Sequence, residues 1–304
     1  MEAHRALWLI ARGLFKKVVI ASFLADAITD DVFASPARHS AGEVLTAIYA
    51  YAAQLYVDFS GYTDMAIGVA LLLGFRLPEN FRAPYAATSV QDFWNRWHLT
   101  LSRWLRDFVL QPLTLGGSRS RLATARNLVF LMLLAGLWHG AAWTFVVWGA
   151  IHGVALAAER LGRERRRARG LGKVADTPWR RARGRLVTFH VVAFAWVFFR
   201  ADSLGGAFDV LARLGHLGDA PAVTPLLLAT LVGVLAAQYL PTDTGARGTG
   251  GVPPTTAAGA ARKRASALVE RARPAYAAVA IGAALMLVDV LGPEGVPPFI
   301  YFRF

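Results

Sequence analysis

Two histidines carry the chemistry that this sequence offers. His139 stands in the tripeptide Trp138-His139-Gly140 and interrupts a long apolar run from Asn127 to Arg160. An ionisable side chain within such a run is costly and by default marks a functional site. It has no Cys or His neighbour at metal-ligand spacing and no HExxH pattern, so proton transfer suits it better than metal binding. A neutral imidazole there can accept the proton of a hydroxyl while that oxygen attacks an activated carbonyl. His98, beside Ser102, reads alone as an interfacial side chain; paired with His139 it would orient the acceptor or stabilise developing charge. The chain contains no cysteine, which removes a thiolate nucleophile, thiolate metal sites and disulfides. It also lacks a GxSxG elbow and a Walker loop, which leaves serine hydrolases and P-loop enzymes without support.

Other polar groups repeat at helical spacing. Gln54, Asp58 and Tyr62 fall on one face of an apolar stretch, with Asp64 a second carboxylate in the same stretch. They read equally as a hydrogen-bond cluster that fixes packing and as the lining of a site. The segment VQDFWNRWHLTLSRWLRDFVLQ, from Val90 to Gln111, puts Phe93, Trp97, Leu101, Trp104 and Phe108 on one side of a helix and Arg96, Arg103 and Arg106 on another. Those arginines suit lipid phosphates, or the phosphates of an acyl donor. The candidate donor- or substrate-binding residues are Asp58, Tyr62, Asn95, Arg96, Arg103 and Trp138. His152, a turn from Trp148, reads as a tie between helices.

The elements that must position these residues are membrane helices. Hydrophobic residues make up 55% of the 304 and charged residues 17%, and the apolar ones gather in runs near 42–75, 127–158, 186–201, 224–240 and 275–291. A crossing helix needs about 20 residues; the last three runs fall short of that and the first two exceed it, which predicts an all-α, polytopic bundle with tilted, re-entrant or interfacial helices. Residues 5–28 predict a membrane-surface helix whose Arg5, Arg12 and Lys16 snorkel to the interface. The run 43–75 is too long for one straight span, which predicts a break near Asp58-Phe59-Ser60-Gly61. Ser89 followed by Asp92 predicts a cap and a helix of about 20 residues. From Asn127 to His139 the chain rises only about 20 Å as a helix, which leaves His139 at depth. A short amphipathic helix is expected within 202–222. The net charge of +13 is concentrated where apolar runs stop, in 160–185 and 241–274. That placement is the positive-inside signal of cytoplasmic loops rather than a nucleic-acid footprint, and it puts the aromatic tail PPFIYFRF on the outer side.

Several motifs in fixed order then narrow the reading. DFSGYTDMAIG (58–68), LPENFRAPY (77–85), DFWNRWHLTLSRWLRDFV (92–109), GLWHGAAWTFVVWGAIHG (136–153), FFRADS (198–203) and the terminal FIYFRF resemble the membrane-bound O-acyltransferase family, in particular its bacterial alginate-acetylating branch. The D-alanyl-transferring branch is more distant. The resemblance runs from about Gly13 to Phe304. It implies a single membrane domain over 1–304, forming a helical funnel with His139 catalytic and His98 lining the same channel. It further implies no bound cofactor, acetyl-CoA as acyl donor, a multi-pass protein of the bacterial inner membrane, and an extracytoplasmic acetyltransferase partner that places the acetyl group on a polysaccharide. Members of this branch usually carry more helices before the segment matching GLFKKVVIA, so the chain is expected to represent the later part of the family fold. Two other classes stay open at this point: a proton-coupled transporter or channel using Asp58, Asp64 and the histidines, and a truncated, inactive remnant.

Overall fold

The structure, a computed structural model, describes residues 2–115, 120–172, 174–216 and 222–240. Every regular element among them is helical. Contacts divide the chain into two units. The first holds residues 2–27, 53–83 and 225–240 of those described, and the second 28–52 and 84–224. The expected span at 275–291, the basic loop 241–274 and the tail lie outside the described residues.

In the first unit, α1 (Glu2–Leu14) runs on through a π-helical stretch, Phe15–Ala21, into the single turn α2 (Ser22–Leu24). Its Ala6 and Leu9 share a face and are buried, as the i, i+3 spacing requires. That face meets α4 (Ala41–Leu72), which begins in the second unit and is unbroken for 32 residues, roughly 48 Å of helix. Helix α12 (Pro225–Ala237) also belongs to this unit.

The predicted break at Asp58-Phe59-Ser60-Gly61 is therefore absent, and packing explains why. A Cβ at Gly61 would lie 2.8 Å from the Gly13 carbonyl oxygen, so this glycine serves a close helix crossing rather than a kink. The polar residues need no bend to reach water because cations reach them. Arg12 donates to Asp64 at 2.9 and 2.6 Å, Lys16 to the same carboxylate at 2.8 Å, and Lys17 pairs with Asp58. The same pairs correct the expectation for residues 5–28. Arg12 and Lys16 are held by a carboxylate of α4, while Arg5 is exposed.

In the second unit, α3 (Asp30–Ala34) and a 3-10 turn (Pro36–Arg38) lead into α4. A loop from 73 to 83 and a 3-10 turn, Pro84–Ala86, then precede α5 (Val90–Trp94). Ser89 caps α5 by accepting from the Asp92 N–H at 3.0 Å, as its spacing predicts. The helix does not continue for 20 residues. It stops at Asn95, turns at His98 and resumes as α6 (Leu99–Leu105), a π-helical turn (Arg106–Leu110) and α7 (Gln111–Leu115). Trp97 is fully buried against Phe93 and Trp196, and Ser102 Oγ donates to the Trp97 carbonyl at 3.1 Å. Tertiary burial of this indole thus fixes the turn against local helix propensity. The predicted apolar stripe is split as a result: Phe93 and Trp97 are buried, whereas Trp104 and Phe108 are exposed.

Helices α8 (Arg121–His139) and α9 (Trp143–Ala168) form a tight hairpin, and α10 (Pro178–Arg200) and α11 (Leu204–Arg213) follow. Helix α11 and its Ser203 cap match the short amphipathic helix expected there. The stretch 160–185 is mostly helical rather than a loop, because α9 extends to Ala168 and α10 already starts at Pro178. Arg160–Glu164 and Glu159–Arg163 pairs at i, i+4 support the extension. Arg165, Arg166 and Arg167 in the last turn suit its negative end. Among the described residues two helices, α8 and α10, are long and apolar enough to cross a membrane.

Candidate active site

Helix α8 starts where Ser120 Oγ accepts from the Ala123 N–H at 3.1 Å and ends on His139, with Gly140 as its C-cap. The end falls where the sequence placed it, because Gly140 carries extended backbone, φ 165°, that no helix continues through. The start does not: the helix begins six residues before Asn127 and has 19 residues, about 28 Å, so the short rise expected to leave His139 at depth is corrected. Helix α9 starts at Trp143 and returns along α8. Gly149 sits so close to α8 that an added Cβ would strike the Met132 carbonyl oxygen. This contact fixes the hairpin at backbone distance and sets the side chains of α9 against the last turn of α8.

His139 consequently lies among aromatic rings from three helices. Ring centroids are 4.9 Å away for Trp138, 4.9 Å for Phe199 of α10, 5.3 Å for Trp148 of α9 and 6.2 Å for Phe145 of α9. Trp148, Phe199 and Phe145 are buried, while Trp138 is 58% exposed. One side of the imidazole thus faces packed core and the other an accessible indole.

His98 reaches that indole from the broken helix. Its ring centroid is 6.4 Å from that of Trp138, so both imidazoles contact one tryptophan. The backbone of His98 is left-handed, φ 44° and ψ 57°, a conformation uncommon for a residue with a Cβ. The Thr100 hydroxyl oxygen lies 3.5 Å from Nδ1, and the Ser102 N–H donates to the His98 carbonyl at 2.9 Å. The segment before it is anchored from α9. Glu159 accepts from the Val90 N–H at 2.7 Å and the Gln91 N–H at 3.2 Å, capping α5 with a carboxylate distant in sequence.

Of the other sequence candidates, Trp138 joins the two histidines, and Asn95 and Arg103 are exposed on the same broken segment. Arg96 pairs with Asp92 at 2.8 Å. Asp58 and Tyr62 lie in the first unit, where Asp58 is paired with Lys17 and Tyr62 lines an apolar hollow of about 500 Å³ with Met65, Val69 and Phe75. The carboxylates that a proton relay would use, Asp58 and Asp64, are thus each held by cations. His152 is fully buried among Phe93, Trp94, Trp148 and Trp196, which fits the helix tie expected of it. No three His, Asp or Glu side chains converge as a metal site among the described residues.

Sequence reasoning missed Phe199, Phe145 and Glu159. The signal for Phe199 was present in FFRADS, but nothing local says that the end of α10 packs on the end of α8. Glu159 carries no local signal, since its partners are backbone amides about 70 residues away.

The model of the membrane-bound O-acyltransferase family matches residues 3–197. A probable alginate O-acetylase of Azotobacter vinelandii is 43% identical over 229 residues, 73% of this chain and 43% of that protein. Its counterpart in Pseudomonas aeruginosa is 46% identical over 208 residues, 68% of this chain and 38% of that protein. A peptidoglycan O-acetyltransferase of Helicobacter pylori is 43% identical over 206 residues, 67% of this chain and 37% of that protein. The chain spans less than half the length of each of these relatives. With a family model covering more than half of it, and relatives 43–46% identical over two thirds of it or more, this chain belongs to the membrane-bound O-acyltransferase family.

Proposed function

We propose that the chain is the transferring part of a multi-pass O-acyltransferase of the bacterial plasma membrane, a single membrane domain that moves an acetyl or similar small acyl group from a cytoplasmic donor to a hydroxyl of an extracytoplasmic polysaccharide or of a partner. The observation that carries this reading is the shared contact of His98 and His139 with Trp138. The names of the more similar relatives, O-acetylating enzymes, support acetyl as the group transferred, while teichoic acid D-alanyltransferases match at 32% identity.

In this reading acetyl-CoA is the donor and His139 the base. As the acceptor oxygen attacks the thioester carbonyl carbon, its proton passes to the His139 imidazole. The tetrahedral intermediate then collapses, the C–S bond breaks, and the departing thiolate takes the proton from the imidazolium. The ester and the free thiol are the products, and His139 returns to its neutral form. His98 orients the acceptor hydroxyl, and its turn presents the ring to Trp138. Arg103 and Asn95, exposed on the same segment, are placed to meet donor phosphates, with Arg96 steadied by Asp92. Asp58 serves packing through Lys17. Membrane lipids surround the helices, and an extracytoplasmic acetyltransferase completes delivery to the glycan.

Complementation of a deletion strain tests this. His139→Ala is expected to insert normally and to abolish O-acetyl content of the extracellular polysaccharide and cell wall; undiminished acetyl content would sink the assignment. D-alanyl ester lost from the cell wall in place of acetyl would move the enzyme to the D-alanyl-transferring branch.

A further inference from the structure

We infer that the buried rings of Trp148 and Phe199 form an aromatic half-cage that stabilises the imidazolium of His139 as it takes up the acceptor proton. The inference rests on the reading of His139 as the base and goes beyond it by giving two further side chains a part in the chemistry.

The geometry has three components. The His139 ring centroid lies 5.3 Å from Trp148 and 4.9 Å from Phe199, at interplanar angles of 88° and 76°. Near-perpendicular planes allow the imidazole edge to point at the face of each ring, which is the arrangement inferred, and both distances fall within the range of about 6 Å over which a ring face attracts a cation. Second, the two rings are desolvated, each 1% exposed, and such attraction is strongest where water does not compete. Third, the rings are immobilised. Trp148 stacks on Trp196 at 5.6 Å and 23°, and it contacts Phe199 at 5.4 Å. Phe199 also contacts Trp196 at 5.2 Å and Phe145 at 5.1 Å.

A fixed, water-excluded quadrupole interacts weakly with neutral imidazole and strongly with the cation. It therefore acts on the transition state rather than on substrate binding, and its removal lowers kcat with little change in KM. Such a half-cage does for the imidazolium what a carboxylate does in other acid–base pairs, without placing a full charge in the hydrocarbon.

Stepwise fluorination provides the test, because each fluorine drains the indole quadrupole while nearly preserving its shape. The full chain, in native-host membranes, carries 5-fluoro-, 5,7-difluoro- or 5,6,7-trifluorotryptophan at position 148, and thiol release from acetyl-CoA is followed. The expected result is a graded fall in kcat with fluorine number, roughly tenfold across the series, at constant KM. The same series at Trp179, which is 76% exposed, is expected to leave kcat unchanged. A flat series at 148, with His139→Ala inactive, would overturn the half-cage alone. Persistent activity in His139→Ala would overturn the base and the half-cage together.

Discussion

His98 occupies backbone space that few side chains accept. A left-handed residue with a Cβ costs about 1–2 kcal/mol relative to the right-handed region, and asparagine tolerates it better than branched residues do. The turn is held by the burial of Trp97 and by the Ser102 hydroxyl, so the strain is imposed from outside His98 itself. His98→Asn is therefore expected to keep stability within about 0.5 kcal/mol, whereas His98→Val loses about 2 kcal/mol, because the branched Cβ adds its own clash. Both substitutions are expected to reduce acyl transfer sharply, since neither keeps an imidazole at Trp138. Denaturation midpoints in detergent, set beside thiol release from acetyl-CoA, separate the two effects. Equal stability for Asn and Val would mean that the turn relaxes when the imidazole is removed.

At the scale of elements, the long-range partners decide where helices bend. Helix α4 stays unbroken because Asp58 and Asp64 find Lys17, Arg12 and Lys16 on the helix packed beside it. Removing Asp64 strands two cations, so Asp64→Ala is expected to cost about 2 kcal/mol. That is below the 3–5 kcal/mol of a fully buried pair, because Arg12 and Lys16 retain 38% and 21% side-chain exposure. The double change Asp64→Ala with Lys16→Met should recover part of that loss, and additive costs in such a cycle would show the pair to be uncoupled. Glu159→Gln keeps the shape of the α5 cap but removes its charge. It is expected to cost about 1 kcal/mol and to lower acyl transfer by loosening the segment that carries His98. These partners also mark the limit of what the sequence disclosed. The Ser89 cap, the end of α8 at His139 and helix α11 are written in local spacing, and each lies where that spacing put it. The polar residues at 58–64 mimicked a break because the cations that satisfy them lie more than 40 residues earlier in the chain. The true break at His98 was hidden, because Trp97 and its neighbours have the spacing of a helix and only tertiary burial stops them.

At the scale of the whole molecule, connectivity fixes which helix ends share a side if α9 and α10 both cross the membrane. Helix α9 ends at Ala168 and α10 begins at Pro178, so the arginine-rich stretch between them must return on the side it left. The positive-inside tendency places that side in the cytoplasm. Ser203, just past the end of α10, then falls outside, on the side toward which α8 carries His139. The absence of cysteine from these 304 residues makes this directly measurable, since a single introduced thiol is the only one among them to react. In intact cells Ser203→Cys is expected to be labelled by a membrane-impermeant maleimide. Arg167→Cys and Thr177→Cys should react only after permeabilisation. Labelling of Arg167→Cys from outside would invert the orientation, and with it the direction in which an acetyl group could pass from a cytoplasmic donor to a glycan. Labelling of all three positions from one side would show that α10 does not cross. In that case His139 would not lie within a path across the membrane, and the acceptor would have to be sought on the same side as the donor.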